Sequence, residues 1–175
     1  MLNLISVEDN RISFSSFTCN NPGCVNCIAI YTPEGITAVD PIKDLLHLYS
    51  DAVCRKDAEQ WTNTWVESGI WDLGRGELIS GRDSLRSFWT ASMSEFKKVI
   101  HTYTNSLSEL DTNSGTGTGR SYVTEWLIPG EGDPVVHHAF YDDEYIFENE
   151  SWLFSKRTHT RIYMGKPDSG VNITC

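Results

Sequence analysis

The residues best suited to proton chemistry fall on a segment that begins at Val99. Read as a strand, V-I-H-T-Y-T-N alternates its side chains, so His101, Tyr103 and Asn105 share one face. That face joins a titratable base to two hydrogen-bonding groups. An imidazole, with an unperturbed pKa of about 6.5, is the usual proton carrier near neutrality. An isolated histidine is as readily a satisfied core or surface residue, so its company matters. Glu125 lies in the apolar and aromatic run Y-V-T-E-W-L-I, where a carboxylate is costly unless paired or exposed. Arg161, within H-T-R-I-Y, is available as its partner. Tyr49 sits on an apolar helical stripe where its hydroxyl needs a partner. A surface carboxylate, a solvated edge arginine and a core tyrosine are the plain alternatives, and spacing alone does not bring the four to one cavity.

His137 and His138 are adjacent on a predicted strand and point to opposite faces, so at most one enters a given pocket. Asp142-Asp143-Glu144 reads as a solvated acidic turn or strand edge rather than a cation site. Cys19, Cys24 and Cys27 form C-x4-C-x2-C, but zinc wants four ligands and no fourth Cys or His lies near. No metal site is read from the chain.

The elements that must position these groups follow from periodicity and turn chemistry. Asp40-Pro41 starts a helix, with Asp40 accepting from orphan amides and Pro41 at the first helical position. Ile42, Leu45, Leu46, Tyr49 and Val53 then form one apolar stripe, and the helix should run to about residue 55. A second helix is predicted near 58–66, with Trp61 and Trp65 on one side, and a third over 82–91. Residues 70–73 and 78–80 flank Gly74-Arg75-Gly76 as a hairpin. Longer strands are predicted over 99–110, 120–128, 135–147 and 151–163. Loops fall at 113–119 and 129–134, and Asn149-Glu150 closes the last hairpin. Helices first and long strands after define an α+β class, with about three N-terminal helices covering a curved, mostly antiparallel sheet.

Composition bounds the function. At 175 residues the chain suits one domain of ordinary size, and its net charge of -10 argues against nucleic acid. Six tryptophans, seven tyrosines and seven phenylalanines imply either a thick aromatic core or an aromatic-lined cavity. Residues 1–17 show neither a cationic start nor an unbroken apolar run, so no signal peptide or membrane span is read, and five cysteines do not pair completely. A reduced, cytoplasmic protein is the expectation. Residues 1–38 read as an irregular extension, 39–165 as the domain and 166–175 as a tail.

The order of these elements, with the words L-Y-S-D-A-V-C-R-K-D-A-E-Q-W, W-D-L-G, S-G-R, I-H-T-Y-T-N and F-Y-D-D-E-Y-I-F-E-N-E-S-W-L-F-S-K-R, resembles the SnoaL-like branch of the cone-shaped nuclear-transport-factor-2-like superfamily, over about 41–164. Within it the chain looks most similar to cofactor-free lyases: scytalone dehydratase, bile-acid 7α-dehydratase and hexachlorocyclohexane dehydrochlorinase. The resemblance implies that His101 is a general base acting on a C–H next to the leaving group, and that Tyr49 assists the leaving hydroxyl. It aligns Glu125 with a pocket aspartate, Arg161 with a pocket arginine, and His138 with a second histidine. One departure stands out. The aspartate that such enzymes present from the first helix aligns with Cys54, leaving Asp51, Asp57 or Glu125 to pair with His101. Asp51, Cys54, Tyr103, Asn105, Trp126 and His138 complete the expected substrate lining.

The implied activity is a cofactor-independent lyase or isomerase of the dehydratase type, acting on a hydrophobic polycyclic, polyketide- or terpenoid-like molecule. The alternative is a non-catalytic binding or assembly domain on the same fold, which Cys54 favours. An epoxide hydrolase is a third reading; it needs an Asp–Arg–Asp set that Arg82 or Arg161 does not visibly assemble. The resemblance also implies a homodimer or homotrimer, since relatives bury the apolar outer face of such a sheet in dimers or trimers.

Overall fold

The structure, a computed structural model, describes residues 7–8, 11–12, 28–32 and 35–167. The chain divides into two compact units, residues 1–40 and 41–175. In the first, β1 (Val7–Glu8) pairs with β2 (Arg11–Ile12), and β3 (Ile28–Thr32) pairs with β4 (Gly35–Val39), both antiparallel. Short paired strands thus stand within a stretch whose composition reads as irregular. Cys19, Cys24, Cys27 and residues 168–175 lie outside the described residues.

The second unit opens with α1 (Pro41–Arg55), whose three-and-four spacing buries Ile42, Leu45, Leu46, Tyr49, Ala52 and Val53. Lys56 (φ +56) ends it in the left-handed conformation common at helix C-termini. The helix α2 (Ala58–Thr62) starts at Asp57, whose carboxylate accepts from the Gln60 amide at 2.9 Å. It is shorter than its sequence predicts. The Thr62 and Thr64 hydroxyls donate to the Ala58 and Trp61 carbonyls, competing with helix propagation, and Trp65 already begins β5 (Trp65–Asp72).

After β6 (Leu78–Ser80) and α3 (Arg82–Ser94) come four long strands: β7 (Phe96–Asp111), β8 (Thr116–Pro129), β9 (Val135–Glu148) and β10 (Ser151–Gly165). They form one six-stranded sheet in the order β6-β5-β10-β9-β8-β7, antiparallel except for the β10–β5 pair. The α+β class and the helix-covered curved sheet match the sequence reading. The glycine-rich loop does not: β8 already begins at Thr116. At Gly119 a Cβ would stand 2.7 Å from the Leu107 carbonyl and 2.9 Å from the Tyr145 hydroxyl, so glycine here lets strand and side chain approach rather than marking a turn. Asn149 and Glu150 (φ +49 and +64) form the two-residue turn that joins β9 to β10.

Register breaks bend the sheet at Phe96/Lys98, Tyr103/Asn105, Phe154/Lys156 and Arg161/Tyr163. One part of the interior is aromatic. Trp61 stacks on Trp89 at 4.9 Å between ring centres, with Trp65 and Trp71 at 5.5 and 5.6 Å from Trp61. The part nearer the middle of β7 to β10 is polar, and that is where the predicted chemistry lies.

Candidate functional site

As an edge strand, β7 leaves backbone groups to be satisfied from outside the sheet. At His101 the partners come from α1. Ser50 Oγ donates to the His101 carbonyl at 2.8 Å, and Cys54 Sγ accepts from the His101 amide at 3.2 Å. Ser50 and Cys54 are one helical turn apart on one face. Cys54 therefore serves the backbone of the histidine; the helix residue that meets the ring is Ser50.

The His101 ring has 1 % side-chain exposure, and its Nδ1 lies 3.1 Å from Ser50 Oγ. With the hydroxyl proton given to the carbonyl, which Cys54 Sγ also approaches at 3.5 Å, Nδ1 donates to the hydroxyl oxygen. In that Nδ1–H tautomer Nε2 carries a bare lone pair; Nε2 has no hydrogen-bond partner among the described residues. Burial pushes the imidazole down to about 4, against the pull of Glu125. It is neutral at physiological pH.

Glu125 faces it from β8, with Oε1 at 4.0 Å from His101 Nε2. Its other oxygen, Oε2, accepts from His137 Nδ1 at 2.7 Å. Burial would raise the carboxyl, but the His137 hydrogen bond and the neighbouring histidines outweigh it and hold the pKa below its ordinary range.

Tyr49 and Tyr103 close the site. Tyr103 meets the His101 ring edge-on at 4.8 Å, and Tyr49 lies 5.6 Å from it. Burial raises both phenols, so both stay protonated. The Tyr103 oxygen accepts from Arg157 Nη1 at 2.9 Å, which leaves its own proton free to be given. Arg157 is fully buried: it grips Asp143 through two hydrogen bonds of 2.8 and 3.1 Å, reaches Ser121 at 3.3 Å, and lies 4.0–4.5 Å from the ring centres of Tyr141, Phe154 and Tyr49.

His101, Tyr49, Glu125 and Tyr103 thus come together, and the other predicted residues do not. Arg161 is exposed further along β10, opposite Ala139; the interior arginine is Arg157, four residues earlier. Asn105 is exposed because the register break after Tyr103 pairs it with Tyr122 and turns it to the outer face. Trp126 (41 % exposed) and His138, which meets Thr124 Oγ1 at 2.9 Å, also lie on that face, one position off the inward set of Glu125 and His137. Asp51 is exposed and bound to Arg55 at 2.9 Å. Asp143, read in the sequence as part of a solvated acidic run, is buried with Arg157; Asp142 and Glu144 of that run are exposed, Asp142 on Arg120. Alternation across D-D-E and the Lys156-Arg157 dipeptide held the available signal for this pair.

A curved sheet backed by three helices around such a buried polar site is the cone-shaped fold of the nuclear-transport-factor-2-like proteins. Residues 34–158 match the SnoaL-like domain, and the chain belongs to that family. Among solved structures it is similar to a candidate scytalone dehydratase from Novosphingobium aromaticivorans DSM 12444 (16 % identity, TM-score 0.67, covering 72 % of this chain and 85 % of that one). It is also similar to a hexachlorocyclohexane dehydrochlorinase, LinA-type3, from Novosphingobium barchaimii LL02 (19 %, 0.65, 77 % and 92 %). A third likeness is to Rv3472(D26N) of Mycobacterium tuberculosis, described as of unknown function (25 %, 0.62, 69 % and 69 %). The curated proteins contain no match.

Proposed function

We propose that the protein is a cofactor-independent lyase or isomerase that removes a proton from the carbon adjacent to one bearing a hydroxyl or other leaving group on a hydrophobic polycyclic, polyketide- or terpenoid-like molecule. One observation carries the reading: His101 is buried, neutral and bare at Nε2, with the Glu125 carboxylate 4.0 Å from that atom. In a dehydration, the carbon-bound proton passes to Nε2 and its electron pair forms the new double bond. The hydroxyl leaves as water with a proton given by Tyr103 or Tyr49, and the imidazolium proton restores the tyrosine. Glu125 stabilises the imidazolium as it forms, in an interior where such a charge interaction is strong. The sequence reading made Arg161 the partner of Glu125; the interior arginine is instead Arg157, which pairs with Asp143 and fixes Tyr103 from behind.

The test is elimination from a bicyclic β-hydroxy ketone, followed by enone absorbance. His101→Ala in a folded protein should lose about a hundredfold to ten-thousandfold in rate. A rate within twofold of the parent removes His101 from the mechanism. A binding domain without turnover is favoured by Cys54 standing where a helix acid is expected; it would retain the ketone unchanged.

Self-association is part of this reading. Ile100 and Trp126, cross-strand partners on the outer face, are each 41 % exposed, and Tyr122 and Phe140 continue the patch. A dimer or trimer would cover it. The cytoplasm is the proposed location, on the odd cysteine count.

A further inference from the structure

We propose that His137 is a positioning residue for this reaction: its Nδ1–H fixes Glu125 so that the sheet, rather than the first helix, supplies the carboxylate partner of His101. The inference rests on the function proposed above and adds a residue that it does not use.

The register carries the argument. His101 pairs with Glu125 across β7 and β8, and Glu125 pairs with His137 across β8 and β9, so the three inward side chains form one row over three adjacent strands. A glutamate has enough rotamer freedom to turn its carboxylate away, and Glu125 keeps 14 % side-chain exposure through which to do so. The 2.7 Å bond from His137 Nδ1 to Oε2 removes that freedom and leaves Oε1 aimed at His101 Nε2. At 4.0 Å the two are not bonded while the ring is neutral; a proton arriving on Nε2 gives Oε1 something to accept. His137 has no competing task, because its buried Nε2 meets no hydrogen-bond partner among the described residues. The other groups facing Glu125 are the His159 ring, 5.1 Å from that of His137, and, at longer range, Tyr49 and Tyr141. Neither Cys54, which holds the His101 backbone, nor the exposed Asp51 competes for the role.

The experiment follows the Glu125 side-chain carboxyl by 13C NMR in glutamate-labelled protein, without substrate, in the parent, His137→Gln and His137→Asn. Asparagine places an amide N–H near the position of Nδ1; glutamine has similar bulk but offers its donor further out. Glu125 should titrate at higher pH in His137→Gln than in the parent, and His137→Asn should return it toward the parent value. In turnover of the ketone, His137→Gln should lower kcat by about a hundredfold, as a misplacement of about 1 Å does, with little change in KM, and His137→Asn should recover most of it. Glu125 titrating alike in all three proteins overturns the inference. Because the NMR arm needs no reaction, a shifted Glu125 without turnover counts against the proposed function and leaves the positioning role standing.

Discussion

Ser50 holds His101 at two points, giving a proton to its carbonyl at 2.8 Å and meeting its ring Nδ1 at 3.1 Å. The pair sets which nitrogen of the base is free. Ser50→Ala strands the buried ring N–H and leaves the carbonyl only the 3.5 Å contact from Cys54 Sγ, which should cost about 1–3 kcal/mol of stability in urea unfolding. The 15N shifts of the ring should also move from a single Nδ1–H tautomer to a mixture. A parent-like tautomer in Ser50→Ala would mean that something else holds the ring.

The buried imidazole makes the fold acid-sensitive in a defined window. The folded pKa of His101 is about 4, below the unfolded value of about 6.5, so on acidification the unfolded chain takes up a proton first. Stability contributed by the neutral ring is full above pH 6.5 and declines as pH falls, by about 3 kcal/mol in total at pH 4. Glu125, held below its ordinary range when folded, acts in the same direction at the acid end. Urea midpoints between pH 7 and pH 4.5 should fall more steeply in the parent than in His101→Gln. Parallel curves would mean that the ring is not buried neutral.

Arg157 and Asp143 are both fully buried and joined by two hydrogen bonds, so removing one partner leaves a stranded charge. Arg157→Met should cost about 3–5 kcal/mol, whereas Arg157→Met combined with Asp143→Leu should recover most of that loss. Thermal and urea unfolding of the single and double variants read this directly. Equal losses in both would place the stabilisation in ring packing rather than charge pairing.

Much of this arrangement was legible before the coordinates. The apolar stripe of α1 put Tyr49 inside, and alternation put His101 and Tyr103 on one face and split His137 from His138. Glu125 stood out as a carboxylate in an apolar run. What escaped was set by register. Asn105 follows a one-residue bulge that no local pattern announces, and the parity of β10 changes between Phe154 and Lys156, which turns Arg157 inward. Ser50 stands one turn before Cys54 on the same helix face, and an uncharged serine there carries no pattern that marks it as the partner of His101.

The same alternation predicts which variants are silent. His138→Ala and Asn105→Ala, on the outer face, should change stability by no more than about 0.5 kcal/mol and leave ketone turnover unaltered. Loss of turnover in either would contradict the inward set described above.

Charge on the outer patch should weaken association. Trp126→Lys places an ammonium beside Ile100 and should lower the sedimenting mass to that of one chain, 19.8 kDa, at micromolar concentration. A parent protein that already sediments at that mass would remove the interface from the account.

Proton abstraction can be isolated from departure of the leaving group. The bicyclic ketone without its hydroxyl, incubated in D2O with the parent protein, should gain deuterium at the carbon next to the carbonyl, and His101→Ala of parent-like circular dichroism should add none above the buffer rate. Equal exchange by the two proteins would contradict the claim that this buried ring is the base.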